Sequence, residues 1–145
     1  MDKKFMQLAI KKAKRGKTPF GAVIVDSNNN IVAKAYNTVI KKQNSIKHAE
    51  INVIEKACKK LKTWNLSGCE IYSTCLPCPM CASAIHWARI KKIYFGIHIK
   101  DAKEFGFNEI DSEATNIILS NCQVEGGILR EECYQLLLNY KGEKY

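Results

Sequence analysis

The 145-residue sequence has no apolar run long enough to cross a bilayer, and nothing after Met1-Asp2-Lys3-Lys4-Phe5 reads as a secretory leader. A spanning helix needs about 20 consecutive apolar residues. A membrane role and export by that route are therefore not expected, and the cytoplasm is. Internal repeats, low-complexity tracts and linkers are missing too, which predicts one domain over residues 1–145 with a core of its own. Acidic residues are scarce, 14 against 23 Lys and Arg, for a net charge of +9. That balance favours anionic partners, nucleic acid or phosphorylated metabolites. Few aromatics interleave with the two densest basic groups, Lys11–Lys17 and Lys56–Lys62. Both groups therefore read as solvated helix faces rather than as stacking platforms for nucleic acid. Complete disulfide pairing is excluded, because the seven cysteines are an odd number. Without an export signal, metal ligation is the expected use of a cysteine cluster.

Such a cluster is present. Ser73-Thr-Cys-Leu-Pro-Cys-Pro-Met-Cys81 holds Cys75, Cys78 and Cys81 at equal spacing, with Pro77 and Pro79 on either side of the middle one. The helix-favouring residues Ala82, Ala84, Ile85, Trp87 and Ala88 follow. Pro79 suits a first helical position, where its missing N–H is no loss. Cys78 then sits at the helix start and Cys81 in the first turn, both near the positive end of the dipole, where thiolates are favoured. Cys75 falls at the end of the preceding strand, with its side chain expected to point away. The other cysteines, Cys58, Cys69, Cys122 and Cys133, read as small buried apolar residues.

His48-Ala-Glu50 opens a second helix, Glu50 to Leu61. Helical side chains tilt toward the N-terminus, so first-turn residues of two helices can converge beyond their ends. One His and two Cys make three ligands. Three protein ligands leave a fourth zinc position for water, the mark of a catalytic site.

In chain order, residues 2–15 form an amphipathic helix stopped by Gly16, and residues 21–37 a β-hairpin around Asp26–Asn30. A polar loop leads to His48. Glu70–Thr74 is a third strand, Lys92–Ile97 a fourth and Cys122–Val124 a short fifth, with a last helix over Leu129–Tyr140. Residues 98–112 read as a loop lying over something. Two consecutive strand–helix–strand connections imply neighbouring parallel strands. The predicted fold class is α/β, a three-layer α-β-α arrangement around a mixed five-stranded sheet. Asn37 and the cysteine cluster sit at carboxyl ends of strands, where such sheets place ligands.

Three other uses of the cluster are weighed. An iron–sulfur run wants a further Cys four residues on, followed by Pro, but Ile85 and His86 stand there. A redox Cys-x-x-Cys fits Cys78 and Cys81 and leaves His48 and Glu50 unexplained. A structural zinc would take Cys75 as a fourth ligand.

His48-Ala-Glu50 with Pro77-Cys-Pro-Met-Cys81 resembles the cytidine and deoxycytidylate deaminase superfamily. Pro19-Phe-Gly-Ala-Val-Ile-Val25, Ala84-Ile-His-Trp-Ala-Arg89 and Asp101-Ala-Lys-Glu-Phe-Gly-Phe107 resemble its bacterial guanine deaminase branch. The resemblance implies Zn2+ held by His48, Cys78 and Cys81, with Glu50 as the proton shuttle. It implies a base bound by Asn37 and walled by Phe20 and Trp87. Glu109 falls where the branch carries an acidic residue, Asp, against the purine N–H donors. Tyr145 matches an aromatic C-terminus that closes a partner's pocket in a swapped homodimer. The implied reaction is hydrolytic deamination of guanine to xanthine and ammonia. A tRNA-specific adenosine deaminase is the alternative, favoured by the charge and by Glu125–Cys133; cytosine or a purine nucleoside would need the same chemistry. A non-catalytic nucleic-acid binder would have no use for Glu50.

Overall fold

A computed structural model describes residues 1–110 and 113–145. Its order begins α1 (Lys3–Gly16), β1 (Gly21–Val25), β2 (Ile31–Tyr36), α2 (Val39–Lys42) and α3 (Ala49–Leu61). It continues with β3 (Glu70–Cys75), α4 (Pro79–Trp87), β4 (Lys92–Ile97), α5 (Ile99–Glu104), α6 (Ala114–Ile118), β5 (Gln123–Glu125) and α7 (Arg130–Leu138).

Each element follows from local chemistry. Asp2 caps α1 by accepting from the Lys4 N–H at 2.9 Å, and Phe5, Met6, Ala9, Ile10 and Ala13 form its buried stripe. The helix ends beyond Gly16, at Lys17 in the left-handed region. The β1–β2 turn is organised by Asp26, whose Oδ1 accepts from the N–H groups of Asn28 and Asn30. Pro79 occupies the first turn of α4, as its missing donor allows.

The five strands form one mixed sheet in the order β2-β1-β3-β4-β5. β1 is antiparallel to both β2 and β3, while β3, β4 and β5 run parallel. One expected neighbour relation is thereby corrected. The connection from β2 through α3 to β3 does not join adjacent strands, because β1 lies between them. The tight hairpin pairs β1 with β2, and β3 adds to the free side of β1 and leaves β2 at the edge. Since β1 opposes both, β2 and β3 still point the same way and their carboxyl ends share one edge of the sheet.

Helices α1 and α7 cover one face and α3 and α4 the other, giving three layers. All five residues of β1 are buried, as expected of a strand covered on both faces. Gly21 marks the closest approach of α1: a Cβ there would stand 2.2 Å from the Ala9 carbonyl oxygen. Strand β2 is an edge, and lysines guard it. Lys56 and Lys60 of α3 donate to the carbonyls of Lys34 and Ile31.

Three further differences from the sequence reading concern short pieces. Residues 39–42 are helical within the expected polar loop, and the stretch from 98 contains α5 before the Phe105-Gly-Phe107 turn. Elements this short carry little periodicity to read. Residues 111 and 112 lie outside the described residues. β5 begins one residue later than expected.

Arg130 at the start of α7 donates to both carboxylate oxygens of Asp101, at 2.7 and 2.8 Å, and Asp101 also accepts from the His98 N–H. The Arg130 bonds hold the Asp101 carboxyl below its ordinary range. A depressed carboxyl contributes stability that is present above its unfolded value and is lost as pH falls through the folded one. Asp101→Asn is therefore expected to cost about 1 kcal/mol at pH 7, a small figure because the Arg130 side chain is 42% exposed. The gap between variant and wild type should close in denaturant titrations taken progressively below pH 4.

Candidate metal centre and pocket

Because β2 and β3 end at one edge, the chain leaving each of them enters a helix at that edge. His48 is the N-cap of α3 and Cys78 the N-cap of α4, both in extended backbone and neither capping its helix with its side chain. Both side chains are thus released toward the space beyond the two positive helix ends. Cys81, in the first turn of α4, joins them.

The donor atoms are close enough for one ion. His48 Nδ1 lies 3.6 Å from both Cys78 Sγ and Cys81 Sγ, and all three donor atoms fall within 4.8 Å of one another. Tetrahedral zinc, with bonds of about 2.3 Å to sulfur and about 2.0–2.1 Å to nitrogen, places N and S about 3.6 Å apart. The donor set fits such an ion.

The electrostatics agree. The S–H of Cys81 and the His48 ring pull the Cys78 thiol down to about 4. Cys81 is pushed well up by the neighbouring Cys78 sulfur and by burial. A bound dication holds coordinating thiols deprotonated. Burial opposes a charge on His48, yet the Cys78 sulfur and Glu50 hold its ring above the ordinary histidine value.

Glu50 is 6% exposed. Its Oε1 accepts from Ser73 Oγ at 2.7 Å, and its Oε2 lies 3.5 Å from Cys81 Sγ. Burial raises its carboxyl above the ordinary value. Beside it lies a pocket lined by Phe20, Asn37, His48, Glu50, Cys75, Leu76, Cys78, Glu109 and Tyr145. The space left inside is about 20 Å3, room for about a single water. Burial, then the Cys78 sulfur, lifts the half-buried Glu109 carboxyl to about 7. Asn37 Oδ1 is engaged with the Val39 N–H at 3.0 Å, leaving its Nδ2 as the donor.

The structure thus gathers eight of the nine sequence-derived candidates: His48, Cys78, Cys81, Glu50, Phe20, Asn37, Glu109 and Tyr145. Trp87 is the exception. It is 70% exposed, near the end of α4, and stands beside the Arg89 guanidinium. Eight residues beyond Pro79, at the far end of α4, its ring is carried away from the pocket. Phe107 stands in the aromatic cluster instead, 5.1 Å from Phe20 and 5.4 Å from Tyr145 between ring centroids. Cys75 stands apart from the three gathered donors, as expected. It is buried and lies on the pocket lining, and that burial holds its thiol well above the ordinary value. The tail packs on its own chain: the Tyr145 carbonyl accepts from the Asn108 N–H at 2.9 Å. The Tyr145 hydroxyl is buried without a hydrogen-bond partner.

Four buried polar residues escape the sequence reading. Thr74 Oγ1 donates to the Pro19 carbonyl and accepts from the Gly21 N–H, fixing the turn that presents Phe20. Asn52 Nδ2 holds the Tyr36 and Lys47 carbonyls and the Thr38 hydroxyl, pinning the loop that carries Asn37. Thr115 donates to the Pro77 carbonyl at 3.0 Å, bracing the loop before Cys78. Ser73 holds Glu50. The available signal was hydroxyl and amide residues inside apolar segments, as in Ile71-Tyr-Ser-Thr-Cys75.

The two basic groups also meet. Lys12 and Arg15 of α1, Lys41 and Lys42 of α2, and Lys56 and Lys59 of α3 line a cleft of about 600 Å3 around Tyr36, beside the Asn37 loop.

Residues 1–97 match the family model of the cytidine and deoxycytidylate deaminase zinc-binding region. The chain belongs to this family. It is similar to the tRNA-specific adenosine deaminase of Bacillus subtilis (strain 168), 41% identical over 142 residues that cover 94% of this chain and 86% of that protein. It is also similar to the guanine deaminase of the same organism, 44% identical over 91 residues, covering 63% of this chain and 58% of that one. Among solved structures, one of a protein in complex with 2,6-diaminopurine superposes with a TM-score of 0.90 at 26% identity, covering 99% of this chain and 84% of that one. The five-stranded three-layer fold is the deaminase fold.

Metal binding is testable directly. Elemental analysis is expected to find about one zinc per chain in the wild type, with His48→Ala and Cys81→Ala near zero. An unchanged metal content in both variants would remove these residues from the centre.

Proposed function

We propose that this chain hydrolytically deaminates a free purine base, guanine to xanthine and ammonia, in the cytoplasm and with zinc as cofactor. The observation that carries the reading is the Glu109 carboxyl, set in a pocket that Phe20, Asn37 and Tyr145 also line. Above its value of about 7 Glu109 is ionised and only accepts hydrogen bonds. It suits the N1–H and exocyclic amine edge of guanine and has no N1–H to meet on adenine. The Asn37 amide donor suits the acceptor edge opposite. Tyr145 lines the same pocket and in its present place leaves room for about a single water, so a base is bound only with that ring displaced. The seven cysteines are all free, which suits a reducing compartment. No helix among the described residues is long and apolar enough to cross a membrane.

Bound zinc supplies a Lewis acid that makes water nucleophilic near neutral pH. The protein's own groups do the rest. Glu50 takes a proton from the attacking water and delivers it to the ring nitrogen, then serves the departing amine. Phe20 and Tyr145 hold the base in a dry site, with Phe107 backing them. Trp64 and Trp87, exposed and each close to Arg89, form an aromatic–arginine patch of the kind a second copy covers, which supports a homodimer.

The second reading, a tRNA adenosine deaminase, has its own support. It draws on the 41% identity across nearly the whole chain and on the basic cleft beside the pocket. Ammonia release from guanine, guanosine, adenine, cytosine and an anticodon stem-loop separates the two. Guanine turnover without stem-loop turnover is expected, and the reverse pattern assigns the second reading. In either case Glu50→Ala should keep its zinc and lose activity by at least ~10².

A further inference from the structure

We propose that Ser73 is a positioning residue for Glu50, its hydroxyl holding one carboxylate oxygen so that the other alone carries protons during deamination. This rests on the deaminase reading above and extends it to a residue that touches neither base nor metal ligands.

Ser73 lies in β3, 2% exposed, with its backbone paired to Ala22 on one side and Phe95 on the other. Its neighbour Thr74 is equally buried, but the Thr74 hydroxyl serves the backbone around Pro19 and Gly21. The Ser73 hydroxyl instead donates to Glu50 Oε1 at 2.7 Å, across 23 residues of sequence. In a strand otherwise packed by Ile71 and Tyr72, alanine would serve the core as well. A buried hydroxyl is retained where its hydrogen bond is used.

The consequence is geometric. The terminal torsion of a glutamate is broad, so a carboxylate held at neither oxygen samples a wide range of orientations. Fixing Oε1 fixes the plane, and Oε2 is left facing the metal ligands, 3.5 Å from Cys81 Sγ. The two oxygens are then inequivalent. As the water oxygen bonds to the amine-bearing carbon, one water O–H bond breaks and its proton passes to Oε2. From there it moves to the ring nitrogen. The second water proton follows by the same oxygen to the amine, which leaves as ammonia while the carbon becomes a carbonyl. No oxidant or further reactant is required.

The test compares zinc-loaded wild type with Ser73→Ala, Ser73→Thr and Ser73→Cys, on the base the wild type turns over fastest. Ser73→Ala is expected to lower kcat by about 10–100-fold, a part of what a positioned acid–base group supplies, with KM within about twofold and zinc content unchanged. Ser73→Thr, which keeps the hydroxyl, should recover most of kcat. Ser73→Cys, near in shape and a weak donor, should not, and it stands in should the alanine variant fail to fold. Crystal structures of the variants read the effect without substrate: the Glu50 carboxylate should turn from its wild-type plane in Ser73→Ala and keep it in Ser73→Thr. Full kcat in Ser73→Ala, or an unmoved carboxylate, would overturn the assignment. If the wild type deaminates no base, the functional reading fails, while the carboxylate orientation still decides whether Ser73 positions Glu50.

Discussion

Two helix N-termini meeting over one imidazole and two sulfurs are the constraint on which this structure depends. A helix start is electropositive and carries unsatisfied N–H groups. Two of them aimed at one point repel unless negative charge lies between. Cys78, whose thiol is pulled down to about 4 by the Cys81 S–H and the His48 ring, supplies negative charge at that point. The 3.6 Å separations between His48 Nδ1 and both sulfurs are those of donors around one tetrahedral ion.

The rest of the molecule holds that convergence in place. The hairpin puts β1 between β2 and β3, which leaves the outer two parallel and brings their exits to one edge. Asn52 and Thr115 then tie down the loops leading into α3 and α4, while Thr74 fixes the turn that presents Phe20. Around the metal ligands, burial acts on each carboxyl differently. Glu50 is deep and held by Ser73, while Glu109 is half-buried and lifted to about 7. Under the proposed reading the first moves protons and the second recognises the base, a division of two acids by environment.

Charge and pocket chemistry pull the functional reading in different directions, and both have a physical basis. The basic cleft gathers cations from three helices that lie far apart in sequence, and part of its role is to guard the β2 edge, whose carbonyls Lys56 and Lys60 occupy. The pocket beside it is lined by Tyr145 and Glu109. Selectivity in such a site comes from buried polar groups that a wrong substrate leaves unpaired, which gives the Tyr145 hydroxyl and Glu109 more weight than surface charge.

The sequence by itself determined the metal centre. His48, Glu50, Cys78 and Cys81 are legible because a helix start fixes where its first-turn side chains go, and Pro79 announces that start. Long amphipathic or apolar segments gave α1, α3 and the first four strands for the same reason, since their periodicity is local. What only the tertiary structure decided depends on contacts between distant segments. The place of β1 in the sheet, the short helices α2 and α5, and the packing of Phe107 rather than Trp87 against Phe20 and Tyr145 were all set by tertiary contacts. So was the bond from Ser73 to Glu50, which exists because a strand and a helix start 23 residues apart are pressed together in the core, where a hydroxyl must find a partner.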